Sequence, residues 1–134
     1  MAATILLVED DQDTVEILQL YLAHEGYHAV VATNGAEALK NNQEFRPDLI
    51  ILDLMTPGLD GSEFCQDIIQ RSRVPIIILS SQSGYDKRLV AQHFGVQGYI
   101  SKPFSPREVI GQVNIALNSL EHSVERSSAY LRDC

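Results

Sequence analysis

Three short, unbroken apolar runs constrain this chain more than any other feature: ILLV (Ile5–Val8), LIIL (Leu49–Leu52) and PIIIL (Pro75–Leu79). A strand with one wet face alternates apolar and polar residues; a strand with no polar face is covered on both sides. Between the runs lie patterns of helical period. DTVEILQLYLAHEG sets Val15, Leu18 and Leu22 on one face and stops at Gly26. NGAEALKNNQEF opens with Asn34 as N-cap and Glu37 three residues later, and DGSEFCQDIIQRS repeats the relation with Asp60 and Glu63. YDKRLVAQHFG closes at Gly95, and SPREVIGQV opens with Ser105 as N-cap, Pro106 at the first helical position and Glu108 closing the box. HAVVA and GYI supply two further strands. Alternating strands and helices predict an α/β fold: a doubly wound parallel five-stranded sheet, (βα)5, clothed by helices on both faces. At 134 residues the chain suits one core.

The polar residues cluster where the strands end. Glu9, Asp10 and Asp11 follow the first strand, Asp53 the third, Ser80 and Ser81 the fourth, and Ser101, Lys102 and Pro103 the fifth. Ligands of open parallel sheets bind beyond the carboxyl ends of the strands, so these residues converge. Carboxylates crowded together repel unless a cation lies among them. A hard divalent ion with oxygen ligands, Mg²⁺, suits such a site. Asp53 is then a candidate nucleophile that forms an acyl phosphate. Lys102 and the Ser80 hydroxyl are candidates to pair with phosphoryl oxygens.

With ILLVEDD, PDLIILDLMTPGLDG, PIIILSS and YISKPF in this order, the chain resembles the receiver domain of bacterial two-component response regulators, the CheY-like family, over about residues 4 to 118. The resemblance implies a flavodoxin-like strand order of 2-1-3-4-5. It implies Asp53 as phosphoacceptor, Glu9 and Asp10 as the acidic pair with Asp10 the direct metal ligand, and Met55 as a ligand through its backbone carbonyl. Ser80 stands at the switch hydroxyl, Tyr99 at the switch aromatic, and Lys102 at the family lysine, before a Lys102–Pro103 bond the family often holds in cis. The implied partner is a sensor histidine kinase or a histidine phosphotransfer protein. Phosphorylation would draw Ser80 inward, let Tyr99 follow, and reshape the face made by helix four, strand five and helix five. Such a protein is not an enzyme beyond catalysing its own phosphorylation and dephosphorylation.

Simpler roles fit the remaining polar residues. Asp11 and Asp13 are expected at a helix N-terminus, favoured by the dipole. Ser81 is expected as small packing beside the pocket. His24, His28, His93 and His122 are isolated, without metal-ligand spacing. Phe64, Ile68 and Ile69 are expected in the core. Cys65 and Cys134 form no CxxC pair and are expected as free thiols.

A net charge of −8 argues against direct nucleic-acid contact, which needs clustered Lys and Arg. No stretch approaches a membrane span and MAATILLVED has no signal-peptide pattern, so a cytoplasmic location is expected. In the transcription-factor branch of the family the switch face is laced by acids in strand five and arginines along helix five; here only Arg107 and Glu108 resemble that pattern, which puts the salt-bridged dimer in doubt. Met55 and Gln82, two residues past Asp53 and Ser80, occupy positions that influence loss of the phosphoryl group, and a bulky Met55 is expected to slow it.

Residues 1–118 are expected as receiver and 119–134 as a helical extension or linker. Ile110, Val113, Leu117, Leu120 and Val124 keep 3–4 spacing, with Leu131 on the same seam. This fits either a homodimer through helix five and its extension or an amphipathic last helix with a polar end. A Mg²⁺-dependent haloacid dehalogenase-like phosphohydrolase is the alternative, weakened because its DxDxT pattern after strand one is not met by VEDDQDT. A flavin-binding module would need a phosphate-cradling loop where Glu9–Asp11 stand.

Overall fold

The structure, a computed structural model, describes residues 2–80 and 96–118. Its elements run β1 (Thr4–Val8), α1 (Gln12–His24), β2 (His28–Ala32), α2 (Gly35–Phe45), β3 (Leu49–Asp53), α3 (Gly61–Arg71), β4 (Ile76–Ser80) and β5 (Gly98–Ser101). A C-terminal helix follows over 106–118. The five strands form one parallel sheet in the order β2-β1-β3-β4-β5, the flavodoxin-like arrangement. The expected helix over YDKRLVAQHFG, together with Ser81, Gln82 and His93, lies outside the described residues. So do Leu120, His122, Val124, Leu131 and Cys134.

Alternation along the strands divides the core into two layers. Ile5, Leu7, Leu49, Ile51, Ile77, Leu79 and Ile100 pack with Leu18 and Leu22 of α1 and with Val109, Ile110 and Val113 of the C-terminal helix. Leu6, Val8, Ile50, Leu52, Ile76 and Ile78 pack on the other face with Ala38 of α2 and with Phe64, Cys65 and Ile68 of α3. Every residue of β3 and β4 is buried, as the unbroken apolar runs require. Each buried Leu or Ile contributes roughly 1.5–3 kcal/mol relative to exposure.

The helix starts follow from their caps. Asp11 accepts the Thr14 amide, Asn34 the Glu37 amide and Asp60 the Glu63 amide. At α2 the Glu37 carboxylate also reaches back over the helix start, Oε2 accepting the amide of Thr33, the residue before the cap, at 2.9 Å. Ser105 Oγ accepts the Arg107 amide at 3.2 Å.

Two expectations are corrected. Ile69 is 40% exposed rather than in the core, because about 100° per residue turns it past the edge of the face that buries Phe64 and Ile68. The third strand runs one residue further, to include Asp53. Of the two readings of the last helix, the burial of Ile110 and Val113 against the chain's own sheet fits the amphipathic one. No helix among the described residues is long and apolar enough to cross a membrane.

Candidate functional site

The site lies at the carboxyl edge of the sheet, where the ladder continues one step into the loops after β1, β3 and β5. The Glu9 amide donates to Ala32 O (3.0 Å), Leu54 to Leu79 O (3.2 Å) and Lys102 to Ser80 O (2.8 Å). Three loops carrying charged residues are thereby tied to neighbouring strands. Asp53 pairs in register with Leu79, so Ser80 sits one step beyond it at the end of β4, 1% exposed.

Glu9, Asp10 and Asp53 each offer a carboxylate oxygen within 4.8 Å of the others. Glu9 is fully buried, Asp53 is 3% exposed, and Asp10 faces solvent. Lys102 Nζ lies 2.8 Å from Asp53 Oδ2, 3.1 Å from Glu9 Oε1 and 2.9 Å from Glu9 Oε2. Asp53 is held at both oxygens, since the Met55 amide donates to Oδ1 at 2.8 Å. The Lys102–Pro103 peptide is cis. Met55 is 54% exposed.

Two like charges 4.8 Å apart repel by roughly 3 kcal/mol at an effective dielectric of 20. Three carboxylates face one ammonium, so the ionised site carries excess negative charge. Burial pushes the Glu9 carboxyl up to about 7, with the Lys102 hydrogen bond opposing and the Asp53 charge adding to the rise. Burial pulls the Lys102 ammonium down, but its bonds to Asp53 and Glu9 outweigh that and leave it raised. Glu9 Oε2 is buried and, although close to Lys102, receives no aligned hydrogen bond. An all-oxygen cluster, acid in excess, with one buried oxygen short of a donor, fits a small divalent cation.

The other expected residues fall as follows. Tyr99 pairs with Ile78 in β5, two residues before Ser101, and packs on the layer formed with α2 and α3. Asp11 and Asp13 occupy the cap and first turn of α1; the Thr14 hydrogen bonds hold the Asp11 carboxyl below its ordinary value. His24 and His28 are exposed. Cys65 is buried, which pushes its thiol up to about 12, outside the reactive range.

Thr56 escaped the sequence reading. It is 3% exposed, and its amide (3.2 Å) and hydroxyl (2.8 Å) both donate to the Asp53 carbonyl. The signal for it is a Thr-Pro-Gly turn opening three residues past a strand-end acid, where a hydroxyl folds back on the backbone.

The family model described as response regulator receiver domain matches residues 5–114. The chain is 38% identical to the alkaline phosphatase synthesis transcriptional regulatory protein PhoP of Bacillus subtilis, over 90% of this chain and 51% of that protein. It is 36% identical to the DNA-binding response regulator MtrA of Mycolicibacterium smegmatis, over 90% of this chain and 53% of that protein. The chain thus spans about half the length of the curated relatives it matches. Among solved structures, the BeF3-activated N-terminal receiver domain of Klebsiella pneumoniae RstA matches with a TM-score of 0.77 and 29% identity, covering 85% of this chain and 97% of that one. The dehalogenase alternative is not supported: the match is to receivers, and the buried aspartate ends the third strand rather than the first.

Proposed function

The chain belongs to the response regulator receiver domain family, and from that premise we propose that it accepts a phosphoryl group on Asp53 and uses it as a two-state signal. The observation that carries this reading is Lys102 Nζ, 2.8 Å from Asp53 Oδ2 and within reach of Glu9, beside an acidic cluster in charge excess. The donor is a phosphohistidine on a sensor histidine kinase or a histidine phosphotransfer protein. An Asp53 carboxylate oxygen bonds to phosphorus as the P–N bond breaks, its electron pair returning to the imidazole. Lys102 shifts its hydrogen bond from Asp53 to a phosphoryl oxygen, and the Ser80 hydroxyl donates to another. The Met55 amide keeps Asp53 aimed throughout. Glu9, Asp10, Asp53 and the Met55 carbonyl would hold Mg²⁺, which neutralises charge on the carboxylate and the incoming group.

Inward movement of Ser80 and rotation of Tyr99 then reshape the face that includes β5 and the C-terminal helix. Residues 1–118 form the receiver unit in this reading, supported by the match over 5–114, and 119–134 an extension or linker. A cytoplasmic location belongs to the same reading. The DNA binding for which MtrA is named is not assigned to this receiver, whose chain carries a net charge of −8.

Intact-mass spectrometry after incubation with acetyl phosphate, with and without Mg²⁺, tests the proposal. A Mg²⁺-dependent phosphoryl adduct on the wild type and none on Asp53→Asn is expected. An equal adduct on Asp53→Asn would remove Asp53 as acceptor.

A further inference from the structure

The corner joining β2 to α2 carries none of the charged residues above, yet it touches two of the loops that do. Ala32 O, at its start, accepts the Glu9 amide at 3.0 Å. The Gly35 amide, at its end, donates to Pro57 O at 3.0 Å. Gly35 is buried and opens α2 with ordinary backbone, since positive φ among the described glycines is confined to Gly26 and Gly58. Backbone conformation therefore does not call for glycine at position 35; space does. A Cβ there would lie 2.6 Å from the Gly58 carbonyl carbon, closer still to its oxygen, and 3.1 Å from Leu59 Cα. All three are backbone atoms, so no side-chain rotation relieves the contact.

We propose that Gly35 is a positioning residue for the phosphorylation site. Its missing side chain lets the turn 54–59 close against α2 and fixes the Met55 backbone relative to Asp53. The turn is clamped at two ends. Met55 and Thr56 tie it to Asp53, and the Gly35 amide ties it to α2. The α2 end is the less yielding partner: Asn34 accepts the Glu37 amide, Glu37 accepts the Thr33 amide, and Ala38 is fully buried. A side chain at position 35 therefore displaces the turn, and with it the Met55 amide and carbonyl.

This inference rests on the reading of the acidic cluster as a Mg²⁺ site, and the test separates the two. Mg²⁺ is titrated into ¹⁵N-labelled wild type, Gly35→Ala and Val113→Ala, the last a core variant remote from the cluster, each well below its melting temperature. In the wild type the Gly35 amide should shift along with that of Met55, at one shared Kd, while the Gly111 amide stays still. Gly35→Ala should weaken Mg²⁺ by about tenfold, the scale of a small misplacement of ligating groups, and Val113→Ala should leave affinity unchanged despite lower stability. Wild-type affinity in Gly35→Ala, or an equal loss in Val113→Ala, overturns the inference alone. A Gly35 amide unmoved while Met55 shifts does the same without any variant, which covers the case of Gly35→Ala failing to fold. No saturable response of Met55 in the wild type overturns the metal reading and this inference together.

Discussion

Glu9 is the residue with most at stake in the metal-free domain: fully buried, and sharing one ammonium with Asp53. Its carboxyl rises from the ordinary 4.5 to about 7, chiefly by burial. A raised folded-state value means that the folded form prefers the proton. The stability this group contributes is full below pH 4.5 and is lost as pH climbs through 7. At 1.36 kcal/mol per unit the loss is bounded at about 3 kcal/mol. Glu9→Gln keeps the shape and removes the charge, so it should be more stable than wild type at pH 8 without Mg²⁺ and no more stable at pH 4.5. Urea unfolding at the two pH values checks this; a wild-type advantage at pH 8 would contradict it. Mg²⁺ favours the ionised form and should raise the wild type at pH 8 by more than it raises Glu9→Gln, which keeps Asp10 and Asp53 as ligands but lacks one negative charge. Met55 sets a second prediction. It stands two residues past Asp53 and is 54% exposed, and the prediction is that its apolar side chain shields an acyl phosphate from water. Met55→Asn should shorten the phosphoryl half-life several-fold, followed by decay of the mass adduct; equal or slower decay would dismiss the shielding role.

At the scale of elements, α2 offers the sharpest test of capping, because two side chains tie down its start: Asn34 accepts the Glu37 amide and Glu37 the Thr33 amide. Asn34→Ala should cost about 1 kcal/mol in urea unfolding, and Asp60→Ala, whose cap is one-sided, no more. The caps and apolar runs were legible in the sequence because each is a local signal: Asn34 and Glu37 lie one helical turn apart, and Leu49–Leu52 shows burial on both faces by itself. The convergence of Glu9, Asp53 and Lys102 was legible because each follows a strand that the topology makes parallel. Thr56 and Gly35 were not. Gly35 meets the Gly58 carbonyl of a distant segment, which no residue type advertises, and the turn signal at Thr56 marks a fold-back without showing that it braces the Asp53 carbonyl. Ile69 failed for a smaller reason: an apolar residue beside a buried one on a helix need not share its face.

At the scale of the whole molecule, one apolar stripe cannot serve two partners. The sequence allows Ile110, Val113 and Leu117 to begin an interhelical seam, but the sheet already claims them: Ile110 and Val113 are buried and Leu117 packs against the same layer. A dimer through this helix and its extension must then rely on Leu120, Val124 and Leu131, fewer positions than the three or four heptads that hold a coiled coil. The unphosphorylated 134-residue chain should therefore sediment as a monomer, with a mass that does not change with concentration in the micromolar range. A concentration-dependent dimer that Leu120→Ser and Val124→Ser abolish would place the contact in the extension and refute this. A dimer those changes leave intact would point instead to Ile115, 67% exposed on the C-terminal helix beside β5.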